Sequence, residues 1–400
     1  MTTVVLFLEF HQPFRLRRFN YLDVGGGDSS GWFDAELDRE VLERVVERCY
    51  LPVCSLFERL ASRHGAAFEV AASFTGTLLD QLEAHAPEAL ERLAALERLE
   101  VLCETSHHSL ASLFDRGEFE FQVESHRARL EALFGRAPTA FRNTELIADV
   151  ALIEAVDALG FEALLVEGAD RLLGRRPLGQ VWTVGARQRL RALPRHYRLS
   201  DDLAFRFSDR GWSEYPLDPQ TWVDWIRRVP GEHPVIGLYM DVETFGEHQP
   251  AESGIFDFLE TALDLLATRD GIRLAGPTAA AAAATPAGQL DFDRPVSWAD
   301  TGRDLSAWLG GPMQRAAFEA HRRLGDRVRA LETERPDLLR DWRRLSTSDH
   351  FYYMSTADGS DGDVHAYFRP FPTAHAAHIA FMNVLEDLKR QLGSARSGVS

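Results

Sequence analysis

An α/β architecture, either a parallel barrel or a doubly wound sheet, with a helical region behind it, is what this sequence predicts. Three observations carry the prediction. Short apolar runs alternate with helix-spaced apolar stretches over roughly the first 270 residues, the pattern of repeated strand–helix units. Several of those runs stop abruptly at polar, titratable residues, as barrel strands do where they open onto a site. Beyond the alanine-rich stretch from Pro277 to Pro286 the pattern becomes helical.

Taken in order, Val4 to Phe10 reads as a strand ending at His11-Gln12-Pro13, followed by the glycine loop Gly25-Gly26-Gly27. Leu37, Val41, Val45 and Val46 have helical spacing that continues towards Phe57 and Leu60. Phe68 to Phe74 is a second strand, with helical leucines after it from Leu78 to Leu96. Leu99 to Cys103 is a third strand and runs into Glu104-Thr105-Ser106-His107-His108. A helix over Glu118 to Phe134 leads to a weak strand at Pro138 to Phe141, which enters Arg142-Asn143-Thr144-Glu145. Val150 to Leu159 is helical up to Gly160, a natural C-terminal stop. Ala163 to Val166 and Arg189 to Leu193 are further strands, and a helix covers Trp222 to Arg228. The run from Val235 to Met240 reads as a strand buried on both faces; it ends in Asp241, Glu243, Glu247 and His248. A helix from Ile255 to Leu266 and a short strand at Ile272 to Ala275 follow. Helices are expected over Leu305 to Leu324, Val328 to Leu331, Leu338 to Leu345 and Ala374 to Leu392, with a frayed tail from Gly393. The division expected is residues 1–276 for the α/β part and 277–400 for the helical part.

The totals narrow the function. The chain has 400 residues, 45% hydrophobic and 26% charged, an ordinary globular composition. Its net charge of −17 repels phosphate, so nucleic acid and anionic membrane are poor partners. Lys389 is the only lysine; arginine supplies the rest of the basic charge. Three cysteines, Cys49, Cys54 and Cys103, have no metal-ligand spacing and read as buried thiols of a reducing compartment. The N-terminal residues carry no basic leader and no apolar run long enough to span a membrane, so a cytoplasmic location is expected. No glycine fingerprint follows the first strand, which removes support for a dinucleotide fold.

The chemistry-bearing residues cluster at one topological place. His11 follows the first strand, Glu104 the third, Glu145 the fourth and Asp241 a late one. In a barrel all four loops surround one mouth, and a set of surface acids does not account for that coincidence. Two carboxylates with little else nucleophilic point to glycosidic bond cleavage, one attacking the anomeric centre and the other donating a proton to the leaving oxygen. No Gly-x-Ser-x-Gly elbow is present. His107 and His108 are adjacent, so on a strand they point to opposite faces; one is expected to touch substrate and the other to pack. Sugar sites also use flat rings. Trp298, in Ser297-Trp298-Ala299-Asp300, and the stretch Asp349-His350-Phe351-Tyr352-Tyr353 place rings beside polar residues.

Five of these stretches, in order, resemble glycoside hydrolase family 57, its α-amylase-like branch, over nearly the whole chain. Leu8-Glu9-Phe10-His11-Gln12-Pro13 resembles the first motif. Glu100-Val101-Leu102-Cys103-Glu104, running into His107-His108-Ser109-Leu110, resembles the second. Phe141-Arg142-Asn143-Thr144-Glu145-Leu146 is similar to the third, and the segment from Met240 to Gln249 to the fourth. Trp298-Ala299-Asp300 through Gly310 resembles the fifth. The resemblance implies an incomplete parallel (β/α)7 barrel followed by a helical C-terminal region, and retaining action on α-glucans with no obligatory metal or other cofactor. It assigns Glu145 as nucleophile and Asp241 as acid/base; the residues alone had left open which does what.

The resemblance implies that His11, Glu104 and Trp298 line the sugar site; with the neighbouring residues of these stretches and of the Asp349 segment, the expected set comprises His11, Gln12, Glu104, His107, Glu243, Phe245, His248, Trp298, Asp300, Asp349 and His350. Burial and the charge on Glu145 are expected to raise the Asp241 pKa until attack by Glu145 removes that charge. One departure from the family pattern is expected at Ser355 to Asp363, where an altered segment could weaken an outer sugar subsite. Three other readings stay open. They are a 4-α-glucanotransferase or branching enzyme with the same pair, a non-catalytic α-glucan-binding relative, and a metal-dependent deacetylase-like barrel using His11 with His107 or His108.

Overall fold

In a computed structural model of the chain, residues 1–26, 31–356 and 369–397 are described. Eight strands are introduced in chain order: β1 (Thr2–Phe10), β2 (Val70–Phe74), β3 (Leu99–Leu102), β4 (Ala140–Arg142), β5 (Ala163–Val166), β6 (Trp182–Val184), β7 (Leu190–Pro194) and β8 (Val235–Asp241). Strands β8, β1, β2 and β3 are parallel neighbours, and so are β4, β5 and β7. Two isolated parallel bridges, Cys103 to Phe141 and Arg195 to Gly237, join β3 to β4 and β7 to β8. The result is a ring of seven parallel strands, stitched at two seams by single bridges. Strand β6 runs antiparallel on β7, and Ile272–Leu274 pairs with the start of β1.

Side-chain alternation decides what each strand contributes. Along β1, Val4, Leu6, Leu8 and Phe10 pack outward under the helices, while Val5 and Phe7 point to the axis with Ala71, Leu102, Ala140, Leu165, Leu193 and Tyr239. Two residues further along the same inward parity each strand turns polar: Glu9, Ser73, Glu104, Arg142, Glu167, Arg195 and Asp241. The barrel is therefore an apolar plug capped at its C-terminal mouth by one polar residue per strand. The register pairing Glu9 with Asp241 across β1 and β8 sets those two acids side by side.

The helices begin and end where local chemistry directs. Asp34, Thr75, Asp115, Asp149 and Asp218 each accept a backbone N–H as N-caps. Gly135, with φ of 75°, closes Arg116–Phe134 in the left-handed region. The helical stretch 35–64 contains one wide turn over Val46–Tyr50, which brings Tyr50 to face the barrel mouth. The alanine run expected as a boundary forms a helix, Pro277–Ala283, whose Ala280 and Ala281 pack into the axial core cluster with Val5 and Phe7.

The remaining helices, Pro312–Arg329, Pro336–Arg344, Ser348–Tyr352 and Ala374–Ser397, share a second core around Trp308, Trp342, Phe351 and Phe381. That core takes in Leu16, Trp32, Leu110 and Ile147 from the barrel's mouth loops. Asp387 accepts from the Trp32 Nε1 at 2.9 Å, and Arg343 donates to Glu118 at 2.7 Å. Cys49, Cys54 and Cys103 are buried and unbridged. Among the described residues no helix is long and apolar enough to cross a membrane.

Candidate active site

A cleft with about 580 Å³ of open space, its mouth included, lies over the polar layer of the barrel. Glu145 and Asp241 both line it, as do His11, Gln12, Glu243, His248, Trp298 and Asp349 from the expected set. Glu145 stands just after β4 on a single 3-10 turn, Thr144–Leu146, with φ of 58°; Leu146 follows at 50°. Two consecutive non-glycine residues in the left-handed region are costly, and such strain persists where surrounding contacts over-determine it. Those contacts are present. Trp298 donates its backbone N–H to the Glu145 carbonyl at 3.1 Å and its Nε1–H to Oε2 at 2.7 Å. The Ser348 hydroxyl donates to Oε1 at 2.9 Å, and His108 Nε2 approaches the same oxygen at 3.4 Å.

Beneath Glu145 sits a buried ion network. Arg142 grips Glu9 with both terminal nitrogens, and His108 Nδ1 meets Glu104 at 2.9 Å and Glu9 at 3.2 Å. Burial pushes the His108 imidazole down. The carboxylates of Glu9, Glu104 and Glu145 more than offset this and hold its pKa well above the usual histidine range. Burial pushes Glu104 up, yet His108 and Arg142 bring it down to about 2. The ring of Trp298 lies 4.8 Å from the Arg142 guanidinium carbon and 5.9 Å from that of Arg195. Glu9, Glu104 and His108 have donor atoms within 4.8 Å of one another, the spacing a metal ion could use. Both His108 nitrogens already face carboxylates, and Arg142 supplies the cation between Glu9 and Glu104.

Beside this network His11 stacks on His108 at 4.1 Å, contacts Thr75 Oγ1 through Nδ1 and meets Asp349 Oδ2 through Nε2, both at 3.0 Å. Burial and the neighbouring His108 lower the His11 pKa, with Asp349 working against them. Glu243 accepts from the Tyr50 hydroxyl at 2.7 Å and from Gln12 Nε2 at 3.1 Å.

Five expected residues stand outside the cleft lining. Glu104 is fully buried below it and reaches Glu145 only through His108. His107 turns the other way: its Nδ1 meets Ser106 Oγ, and burial with Arg343 and Arg344 presses its pKa down to about 3. The two neighbouring histidines do point apart, and His108 is the one in the cleft. Phe245 is fully buried in the helix-side core, because the chain after β8 folds it back onto Val242 and Ile255. His350 is buried against Phe381, since residue 350 faces the helical core while Ser348 and Asp349 face the cleft. Asp300 lies in the loop after Trp298 with φ of 54°. Of the altered segment Ser355 to Asp363, residues 357–363 lie outside the described residues.

Glu9, Arg15 and Pro13 line the cleft without having been expected there, His108 takes the place expected of His107, and Arg142 supports the cleft from below. The inward parity that places Glu9 and Arg142 is readable from β1 and β4. The partner that makes them matter is visible only in three dimensions.

The profile of glycosyl hydrolase family 57 matches residues 5–291 of the chain. A protein of Methanocaldococcus jannaschii named "Putative alpha-amylase" is 34% identical over 396 residues, 95% of this chain and 83% of that one. Among solved structures, a GH57 branching enzyme from Thermococcus kodakaraensis is similar with a TM-score of 0.68 at 15% identity, covering 97% of this chain and 90% of the other. The 4-alpha-glucanotransferase from Thermococcus litoralis gives 0.64 at 15% identity; 88% of this chain matches, spanning 56% of the larger protein. At those identities the two structures speak to the fold alone.

Proposed function

This chain belongs to glycosyl hydrolase family 57, and from that premise we propose that it cleaves α-1,4-glucosidic bonds of starch-like α-glucans and maltooligosaccharides with retention. Glu145 attacks the anomeric carbon, and Asp241 donates a proton to the departing sugar oxygen. A covalent glycosyl-enzyme forms; Asp241 then takes a proton from water, whose oxygen displaces Glu145. The observation that carries this reading is the meeting of two acids from β4 and β8 in one cleft, with Glu145 held by Trp298, Ser348 and His108. Two donors to its carboxylate fix its direction. Trp298 gives the sugar an aromatic surface, and the His11–Asp349 pair supplies polar contacts in the same cleft.

The reading also takes residues 1–276 as the catalytic barrel and 277–400 as the region that completes the cleft. Trp298, Ser348 and Asp349, which reach Glu145 and His11, support the later region's part in the cleft, while Pro277–Ala283 packs with the barrel core. A reducing, cytoplasmic setting fits the three unbridged thiols.

The experiment is product analysis from one defined maltooligosaccharide, with the anomer released first followed by NMR. Shorter oligomers formed with retention are expected. Longer oligomers would move the reading to a transferase of the same mechanism, and inversion would end it. Glu145→Gln and Asp241→Asn should each lose at least about a thousandfold in kcat while keeping their folded circular dichroism.

A further inference from the structure

The two edges of β8 are held differently at the barrel mouth. Towards β1 the ladder runs unbroken from Thr3 and Val235 up to Glu9 and Asp241. Towards β7 it thins to one bridge, Arg195 to Gly237, where the His196 N–H donates to the Gly237 carbonyl at 2.7 Å. Two residues further along β8, side chains take over from backbone. The Tyr239 N–H donates to Ser200 Oγ at 3.2 Å, and Arg195 Nε donates to the Tyr239 carbonyl at 2.8 Å. Alternate residues of a parallel strand present their backbone groups to the same neighbour, so these two bonds carry the β7 edge past the last residue of β7. Asp241 is the next residue of that parity.

Arg195 is itself firmly held. It is 4% exposed and stands outside the cleft lining. Its terminal nitrogens meet Asp201 at 2.6 Å and Glu167 at 3.4 Å. Arg303, from the loop that carries Trp298, faces the same two acids at 3.6 and 3.7 Å and lies over the Tyr197 ring. A planar fork fixed at both tips points its Nε–H in one direction, which a flexible cation could not do. The nucleophile's support has other anchors. The Trp298 ring is nearer to Arg142, at 4.8 Å against 5.9 Å for Arg195, and it grips Glu145 through its own N–H groups.

We propose that Arg195 is a positioning residue for Asp241: by standing in for the missing β7 ladder at Tyr239, its Nε–H fixes the end of β8 and with it the reach of the acid towards the departing sugar oxygen. This rests on the roles given above to Asp241 and Glu145. Proton donation depends on hydrogen-bond geometry at the leaving oxygen, and a strand end displaced by about 1 Å is enough to spoil it.

Two substitutions separate the bond from the charge. Arg195→Lys puts a methylene where Nε stands and an ammonium where the guanidinium carbon stands, so it keeps a cation for Glu167 and Asp201 but loses the donor to Tyr239. Arg195→Gln does the reverse, because its amide nitrogen falls where Nε stands and the charge is gone. Each is assayed on a maltooligosaccharide, whose leaving oxygen needs a proton, and on α-maltosyl fluoride, whose fluoride departs without one. Arg195→Lys should lose about 10- to 100-fold in kcat/KM on the first substrate and less than about threefold on the second, with a near-native melting temperature. Arg195→Gln should melt lower, yet stay within about fivefold of the native enzyme on both. Equal losses on the two substrates in Arg195→Lys, or no loss on either, would overturn the proposal. So would a split that appears in Arg195→Gln instead, because the charge would then be what Asp241 uses. Amide hydrogen exchange supplies a readout that needs no substrate. The peptide spanning residues 235–244 should exchange faster in Arg195→Lys than in native protein and at the native rate in Arg195→Gln. Unchanged exchange in the lysine variant overturns the tie between Arg195 and β8. A native enzyme inert on both substrates, with the expected exchange pattern, would sink the α-glucan reading and leave that tie standing.

Discussion

Replacing His108 by glutamine tests the buried charge network directly. In the native chain the imidazole lies 2.9 Å from Glu104, 3.2 Å from Glu9 and 3.4 Å from Glu145, and its side chain is 2% exposed. Glutamine preserves a polar end but takes one cation from three carboxylates, leaving Arg142 beside Glu9 and Glu104. Removing one partner from a buried ion pair typically costs about 3–5 kcal/mol, and three carboxylates put this site in the upper half of that range. The pH dependence follows from the direction of the shift. The folded His108 pKa is raised above its unfolded value near 6.5. Its stabilisation is therefore complete below about pH 6.5 and disappears only as pH climbs through the higher folded value. Urea denaturation of native protein and His108→Gln at several pH values reads this out. The gap between the two should hold through neutrality and narrow in the alkaline range. A gap below about 1 kcal/mol, or one already closed near pH 7, would mean that the imidazole is neutral and the network is held by Arg142 alone.

Two further substitutions probe the grip on Glu145. Trp298→Phe keeps the ring and removes the 2.7 Å donor to Oε2; kcat should drop about 10- to 100-fold with KM moving less, and a change under threefold would show the bond idle in the reaction. Ser348→Ala removes the 2.9 Å donor to Oε1, and stopped assays on maltooligosaccharide should show kcat reduced about five- to tenfold with an unchanged melting temperature. If both losses appeared in KM alone, the two donors would be shaping the cleft rather than holding Glu145.

The strands of the barrel were legible because each is a short apolar run that must end where its inward parity meets the mouth. Asp241 stands out on that ground, whereas Glu145 lies three residues past the inward Arg142, on the turn after β4. The choice between His107 and His108 was not readable from their spacing. Both follow Glu104, and only the turn at His108, with φ of 47°, decides which ring enters the cleft. Phe245 and His350 were expected at the sugar because each adjoins polar residues. Phe245 follows a 3-10 turn and His350 lies in a helix, where successive side chains face different ways, so adjacency in sequence says little about facing; Phe245 belongs to one hydrophobic core and His350 to the edge of the other. Arg142 was hidden for a different reason. Its place in the third motif was visible, but its role depends on Glu9, 133 residues away.

Glu145 sits in a conformation that its own side chain disfavours. What holds it there comes largely from residues far downstream: the backbone and indole of Trp298, and the hydroxyl of Ser348. The next residue, Asp349, meets His11. One turn of helix thus touches both Glu145 and His11, and it is anchored by Thr347 Oγ1 donating to the His107 carbonyl and by the Ser348 N–H donating to the His108 carbonyl. The barrel brings Asp241 to the mouth by alternation and Glu145 on the turn after β4; residues from the later region then fix the direction of Glu145. That division of labour explains why His107 matters even though its ring lies outside the cleft. Its carbonyl is a docking point for the segment that orients Glu145, so the second motif supports the site through its backbone as well as through His108.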